Sequence, residues 1–188
     1  MFRRITTLYV LRGLLALGFA FVLLLSWHQM QLGSLVLVFG VYASTEGVLA
    51  LSSGKLSSPP PGASFHVFEG VVSVVFGLDA LLGFHFQRLE VLAMTALWAV
   101  ATGLIRMAPL VSAIVNGREA WDDLAHAGAG AASLAFGVCV LLWPGSASLF
   151  FAVLLAPYAA IAGLAMLHAA RTYKHVIDPA LGAHPKSG

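Results

Sequence analysis

Six apolar runs, at 5–27, 33–51, 65–86, 89–109, 122–143 and 146–168, take up most of the chain, and each is close to the length that crosses a bilayer. A hydrocarbon core about 30 Å thick needs roughly 20 helical residues. The runs are therefore read as six transmembrane helices. The breaks between them are polar or turn-forming. Residues 28–32 and 85–90 are short, and Trp143-Pro144-Gly145 is a turn signal. "SSGKLSSPPPGAS" over 52–64 is a Ser/Pro linker, and "NGREAWDD" over 116–123 is the most charged segment. Composition agrees: 60% of residues are hydrophobic and only 10% charged, against about 25% charged in soluble domains. The first run is too long for a signal-peptide core, is interrupted by Arg12, and is followed by no A-x-A-like site before Trp27.

The expected fold is all-α, a polytopic membrane bundle of six transmembrane helices built from three parallel-oriented helical hairpins. One domain over 1–170 holds hairpins at about 5–51, 65–109 and 122–168, and 171–188 forms a short cytoplasmic polar tail. With the N-terminus inside, Arg3, Arg4, Arg12, Lys55, Arg106, Arg118, Arg171, Lys174 and Lys186 lie on or near the cytoplasmic side, and Arg88 alone lies outside. This positive-inside bias places both termini in the cytoplasm. The net charge of +2 reflects topology and gives no argument for nucleic acid.

The hairpins repeat. A shift of 60 residues lays the second on the third without a gap, matching His66 with His126, Gly70 with Gly130, Ser73 with Ser133, Gly77 with Gly137 and Gly103 with Gly163. The first joins more loosely: Gly18 is matched to Gly77, and Tyr42 with Gly47 to Trp98 with Gly103 and Tyr158 with Gly163. In that register Leu11 stands where a first glycine is expected. A hairpin enters and leaves on one side, so successive copies share an orientation, unlike the inverted repeats of many transporters. A pseudo-threefold arrangement is the geometric expectation. Helices in lipid associate through small residues, so Gly18, Gly70, Gly77, Gly103, Gly130, Gly137 and Gly163 are read as helix-packing positions.

The segments "RGLLALGFAFVLLLSW", "EGVVSVVFGLDALLGF" and "GAGAASLAFGVCVLLWPGSASLFFAVLLAPYAAIAGLAML" resemble the HdeD family of small bacterial inner-membrane proteins over roughly 12–168. The likeness rests on paired glycines in the first helix of each hairpin, a Pro-containing turn, and a glycine late in the second helix. Of the three outer turns only Trp143-Pro144 carries the proline. The resemblance implies a six-helix protein of the bacterial cytoplasmic membrane associated with survival under acid stress. It supplies no catalytic residues.

Ionisable residues inside a span are costly and need a reason. Arg12, Glu46, Glu69 and Arg106 fall at comparable cytoplasmic depths when counted along their helices. Two readings stand: a four-member ionic layer, or separate snorkelling to the interface. Asp79 lies towards the outer half of the third helix. It is either a neutral carboxyl donating a hydrogen bond, for instance to Thr95, or a titrating group in a wet cavity that senses or passes protons. His28 and His85 end outward-going helices and are candidates for sensing external pH. His66 and His126 are read as capping or interfacial residues, because no further ligands occur at metal-binding spacing.

Trp27, Trp121 and Trp143 are read as interfacial anchors, Trp98 as a packing residue, and Pro157 as a kink or loosening of the sixth helix. Cys139 has no partner cysteine within the chain. Catalytic and phosphate-binding motifs are absent, so neither an enzyme nor a cofactor is expected. The expected partners are the lipid bilayer and either a membrane-protein partner or a second copy of the chain. The rival to an HdeD-like role is a small proton- or solute-conducting protein using Asp79.

Overall fold

The computed structural model describes residues 2–26, 29, 31–56, 62–83, 88–117, 124–146 and 151–182. Among them the chain is helical, with no strand. The helices are α1 (Phe2–Ser26), α2 (Leu32–Leu56), α3 (Gly62–Leu82), α4 (Arg88–Val115), α5 (Leu124–Leu142) and α6 (Ala156–Gly182). Five stretches are long and apolar enough to cross a membrane: Thr6–Ser26, Gly33–Gly54, Phe65–Leu82, Leu92–Val115 and Val153–Arg171. The shorter apolar helix Ala127–Leu142 supplies α5. The protein is a multi-pass membrane bundle.

Helix ends follow local chemistry. α3 and α5 close at matched residues, with the Gly83 N–H donating to Asp79 O at 2.7 Å and the Trp143 N–H to Cys139 O at 2.9 Å. Pro144 disfavours the helical region for Trp143, and Pro144–Ser146 form a single 3-10 turn. The turn that follows α4 passes through Gly117, whose φ of 63° is the left-handed conformation that lacks a Cβ penalty only in glycine. Before α6 the backbone widens into a π turn, Phe151–Leu155. That turn precedes Pro157, which cannot donate a backbone hydrogen bond, so the expected loosening falls at the start of α6. α6 then continues as helix past Arg171 through Gly182.

The distribution of side chains suits lipid. Phe21, Phe68, Leu82, Leu104, Leu142 and Leu164 face outward and are more than half exposed, while Ala16, Ala43, Ala50, Ala96, Ala99, Ala156 and Ala159 are fully buried. Lipid tails solvate leucine as well as another helix does, so close packing of small residues is what favours association.

The helices form a closed ring in which loose and tight interfaces alternate. The helices within a hairpin touch modestly; α2 against α3, α4 against α5, and α6 against α1 pack far more extensively. Each tight interface is centred on a glycine pair. A Cβ added to Gly70 would lie 2.8 Å from Gly47 O, one added to Gly130 2.7 Å from Gly103 O, and one added to Gly163 2.8 Å from Gly13 O. Gly77 seats against Ser44, and Gly137 against Ala96 with 2.6 Å to its carbonyl oxygen. The same alternation occurs three times around the ring, which is the pattern of a pseudo-threefold bundle.

One packing assignment is corrected. Gly18 is exposed and an added Cβ there would meet nothing within 4 Å. The position equivalent to Gly70 and Gly130 is Gly13, and Ala20 takes that of Gly77 and Gly137. Leu11 and Gly18 are displaced by two residues from the contacting face, which on a helix is about 200° of rotation.

Candidate functional site: a buried ionic quartet

The four charges at one level meet at the centre. Arg12 of α1 donates through Nε to Glu46 Oε1 at 3.0 Å, and its Nη2 also reaches Glu46 Oε1 and, at 3.1 Å, Glu69 Oε2. Arg106 of α4 donates through Nε to Glu69 Oε1 at 2.6 Å and reaches Glu46 Oε1 through Nη2 at 3.5 Å. Acid and base alternate around a closed ring. All four residues are buried, at 1%, 1%, 4% and 6% relative exposure for Arg12, Glu46, Glu69 and Arg106. The snorkelling reading therefore fails: no member sends its head group to water. Two positive and two negative charges cancel, and each arginine bridges both carboxylates, which is the arrangement that makes ion burial tolerable.

The quartet breaks the repeat. Arg12 and Glu69 stand at equivalent positions whose third copy is the buried Ala129; Glu46 corresponds to Thr102 and Ala162, and Arg106 to Ala50 and Met166. The third hairpin contributes no charge. It contributes Tyr158, whose ring centre lies 5.5 Å from the Arg106 guanidinium carbon, a cation–π distance.

His66 extends the network towards the surface. Its Nδ1 lies 3.7 Å from Glu69 Oε2, and its Nε2 is 3.0 Å from the Tyr9 hydroxyl. One helical turn separates His66 from Glu69 on α3, so the two share a face. The expected capping or interfacial role misses this contact. The side chain of the matching His126 is outside the described residues.

An aromatic layer sits beside the quartet. Tyr42, Trp98 and Tyr158 occupy equivalent positions on the second helix of each hairpin and are buried. Phe39 packs edge-on against Trp98 at 4.9 Å, Trp98 against Tyr158 at 6.3 Å, and Phe19 stacks on Tyr42 at 4.1 Å. Trp98 Nε1 donates to Ser73 Oγ at 3.2 Å. Ser133, the counterpart of Ser73, donates to Ala99 O at 2.9 Å and meets Thr102 Oγ1 at 3.2 Å. The Tyr42 and Tyr158 hydroxyls, Glu46 Oε2 and Arg106 Nη1 are buried and have no hydrogen-bond partner among the described residues.

Asp79 stays apart. It lies in the last turn of α3, half-buried, roughly 15 Å along the helix from Glu69 at 1.5 Å per residue. It takes no part in the quartet's hydrogen bonds or ion pairs. His28 and His85, with Trp27 and Trp121, lie outside the described residues. Trp143 is 59% exposed at the end of α5. Among the described residues no group of three or more His, Cys, Asp or Glu is placed to hold a metal ion.

A family described as a short repeat of unknown function, DUF308, matches residues 7–82 and 128–181. The chain belongs to the DUF308 family. No curated protein and no solved structure matches it. The matched segments cover most of α1, all of α2 and α3, and most of α5 and α6, so Arg12, Glu46 and Glu69 fall inside the DUF308 match and Arg106 outside it.

Proposed function

We propose that this DUF308 protein is a non-enzymatic, HdeD-like component of the bacterial inner membrane that serves resistance to acid and related stress, with both termini in the cytoplasm. The resemblance over 12–168 supplies the biological setting. The observation that carries the reading is the quartet: its neutrality holds hairpin one to hairpin two, and Glu69 adjoins the half-buried His66. Neutralising any one member leaves an opposite charge unpaired in a medium of low dielectric. Any loss of charge within the quartet therefore bears directly on helix packing, and the bundle acts through the membrane or a membrane partner.

Conduction through Asp79 is the rival. Asp79 lies about 15 Å along α3 from Glu69 and takes no part in the quartet, so the two readings rest on different residues. Acid survival of a deletion strain complemented with variants separates the two. Asp79→Asn is expected to protect as wild type does, whereas Glu69→Gln loses protection, and liposomes carrying the pure protein show no pH-driven flux. A flux that Asp79→Asn abolishes would establish the rival instead.

A further inference from the structure

Four polar atoms at the heart of a membrane bundle end without a partner among the described residues, and their chemistry is complementary. Glu46 Oε2 can only accept a hydrogen bond, Arg106 Nη1 can only donate, and the hydroxyls of Tyr42 and Tyr158 can do either. Buried polar groups are nearly always satisfied, and in a bilayer no solvent reaches them from outside.

The four residues adjoin one another in a sequence of contacts. Tyr42 lies one turn before Glu46 on α2, on the same face. Arg106 touches Glu46 through its other terminal nitrogen at 3.5 Å. The Tyr158 ring faces the Arg106 guanidinium at 5.5 Å. The Ser133 hydroxyl donates to Ala99 O and meets Thr102, and the Tyr158 hydroxyl completes no hydrogen bond among the described residues. Ser44 Oγ is likewise unpartnered, yet it sits at the α2–α3 contact against Gly77 and belongs to that interface.

We propose that the space between Tyr42, Glu46, Arg106 and Tyr158 is a binding site for a small neutral molecule that both donates and accepts hydrogen bonds, water being the simplest. Charge selects neutrality, because the quartet already balances and an added ion would unbalance it. Hydrogen-bond polarity selects a two-way guest: it must donate to Glu46 and accept from Arg106, which neither a bare cation nor a bare anion does. Phe19 stacks on Tyr42 and Trp98 packs edge-on against Tyr158, and this crowding of the two tyrosines favours a compact guest.

The test uses the full-length protein in nanodiscs, with Tyr42→Phe, Tyr158→Phe and the double variant. An unbonded buried hydroxyl is a liability, so its removal leaves stability unchanged or raises it. A hydroxyl bonded to a guest behaves oppositely. Each single variant is expected to lower the melting temperature by about 2–4 °C, and the double variant by less than the sum, because both lose the same guest. Singles as stable as wild type, or more stable, overturn the proposal. The guest is identified by denaturing washed protein and measuring released small molecules by mass spectrometry. A stoichiometric solute, absent from the double variant, names it. No solute, together with water-to-tyrosine magnetisation transfer in the wild type, identifies water. Neither signal overturns the site.

Discussion

Arg106 is the member of the quartet on which most depends, since it bridges both carboxylates and its ring neighbour Tyr158 comes from the third hairpin, which gives the quartet no charge. Arg106→Met leaves two glutamates against one arginine, all buried, and is expected to cost about 3–5 kcal/mol. Pairing it with Glu69→Leu restores neutrality, so the double variant should unfold later than the single one in denaturant titrations in micelles. A double variant weaker than Arg106→Met would show that the ion pairs contribute shape alone. The four charges were legible in the sequence because an ion in an apolar run demands a partner, and counting along the helices put them at one depth. What decided between network and snorkelling was side-chain direction, which counting does not supply. Tyr42 and Tyr158 escaped notice as polar groups because an aromatic residue in the middle of a span reads as packing. The i,i+3 spacing of His66 and Glu69 is legible in the sequence, whereas the contact of His66 with Tyr9 is not, because Tyr9 belongs to another helix and no spacing rule links the two.

At the level of helices, the tight interfaces rest on backbone-to-backbone approach. At Gly70 a methyl group would meet Gly47 O at 2.8 Å and Leu51 N at 2.8 Å, neither of which can rotate away. Gly70→Ala should therefore force α2 and α3 apart at a cost of about 1–3 kcal/mol, as overpacking typically does. Gly18→Ala should be neutral or mildly stabilising, because its added methyl points into open space and alanine is the better helix former. Thermal unfolding of the two variants side by side tests the register directly; equal loss in both would return Gly18 to the packing face. The second and third hairpins were readable because their copies align without a gap. In the first, a single glycine identity admitted two offsets, and only the pairing of Gly13 with Gly163 on the opposite helix decides between them. The π turn was legible in kind from Pro157, though its place, just before the helix proper, follows from the backbone bonds that proline cannot make.

For the whole molecule, the sequence unit and the packing unit differ. Loops make α1 with α2, α3 with α4 and α5 with α6 neighbours in the chain, whereas small residues make α2 with α3, α4 with α5 and α6 with α1 the intimate pairs. A short loop constrains distance but not contact area, so the sequence predicted hairpins and a threefold pattern without showing that the strongest seams run between copies. This has a consequence for assembly. Cutting the chain after Gly117 severs no helix and leaves fragments 1–117 and 118–188 that share two glycine seams, Gly103 with Gly130 and Gly163 with Gly13. Preformed spanning helices associate through such surfaces, so the fragments, co-expressed and separately tagged, should co-purify in mild detergent. Gly103→Leu and Gly163→Leu together should abolish recovery of the pair, while Gly18→Leu should leave it intact. Recovery that survives the loss of both seams would mean that the aromatic centre and the ionic quartet's contact with Tyr158 hold the two fragments together, and the threefold set of glycine contacts would then be a by-product of close packing and not its cause.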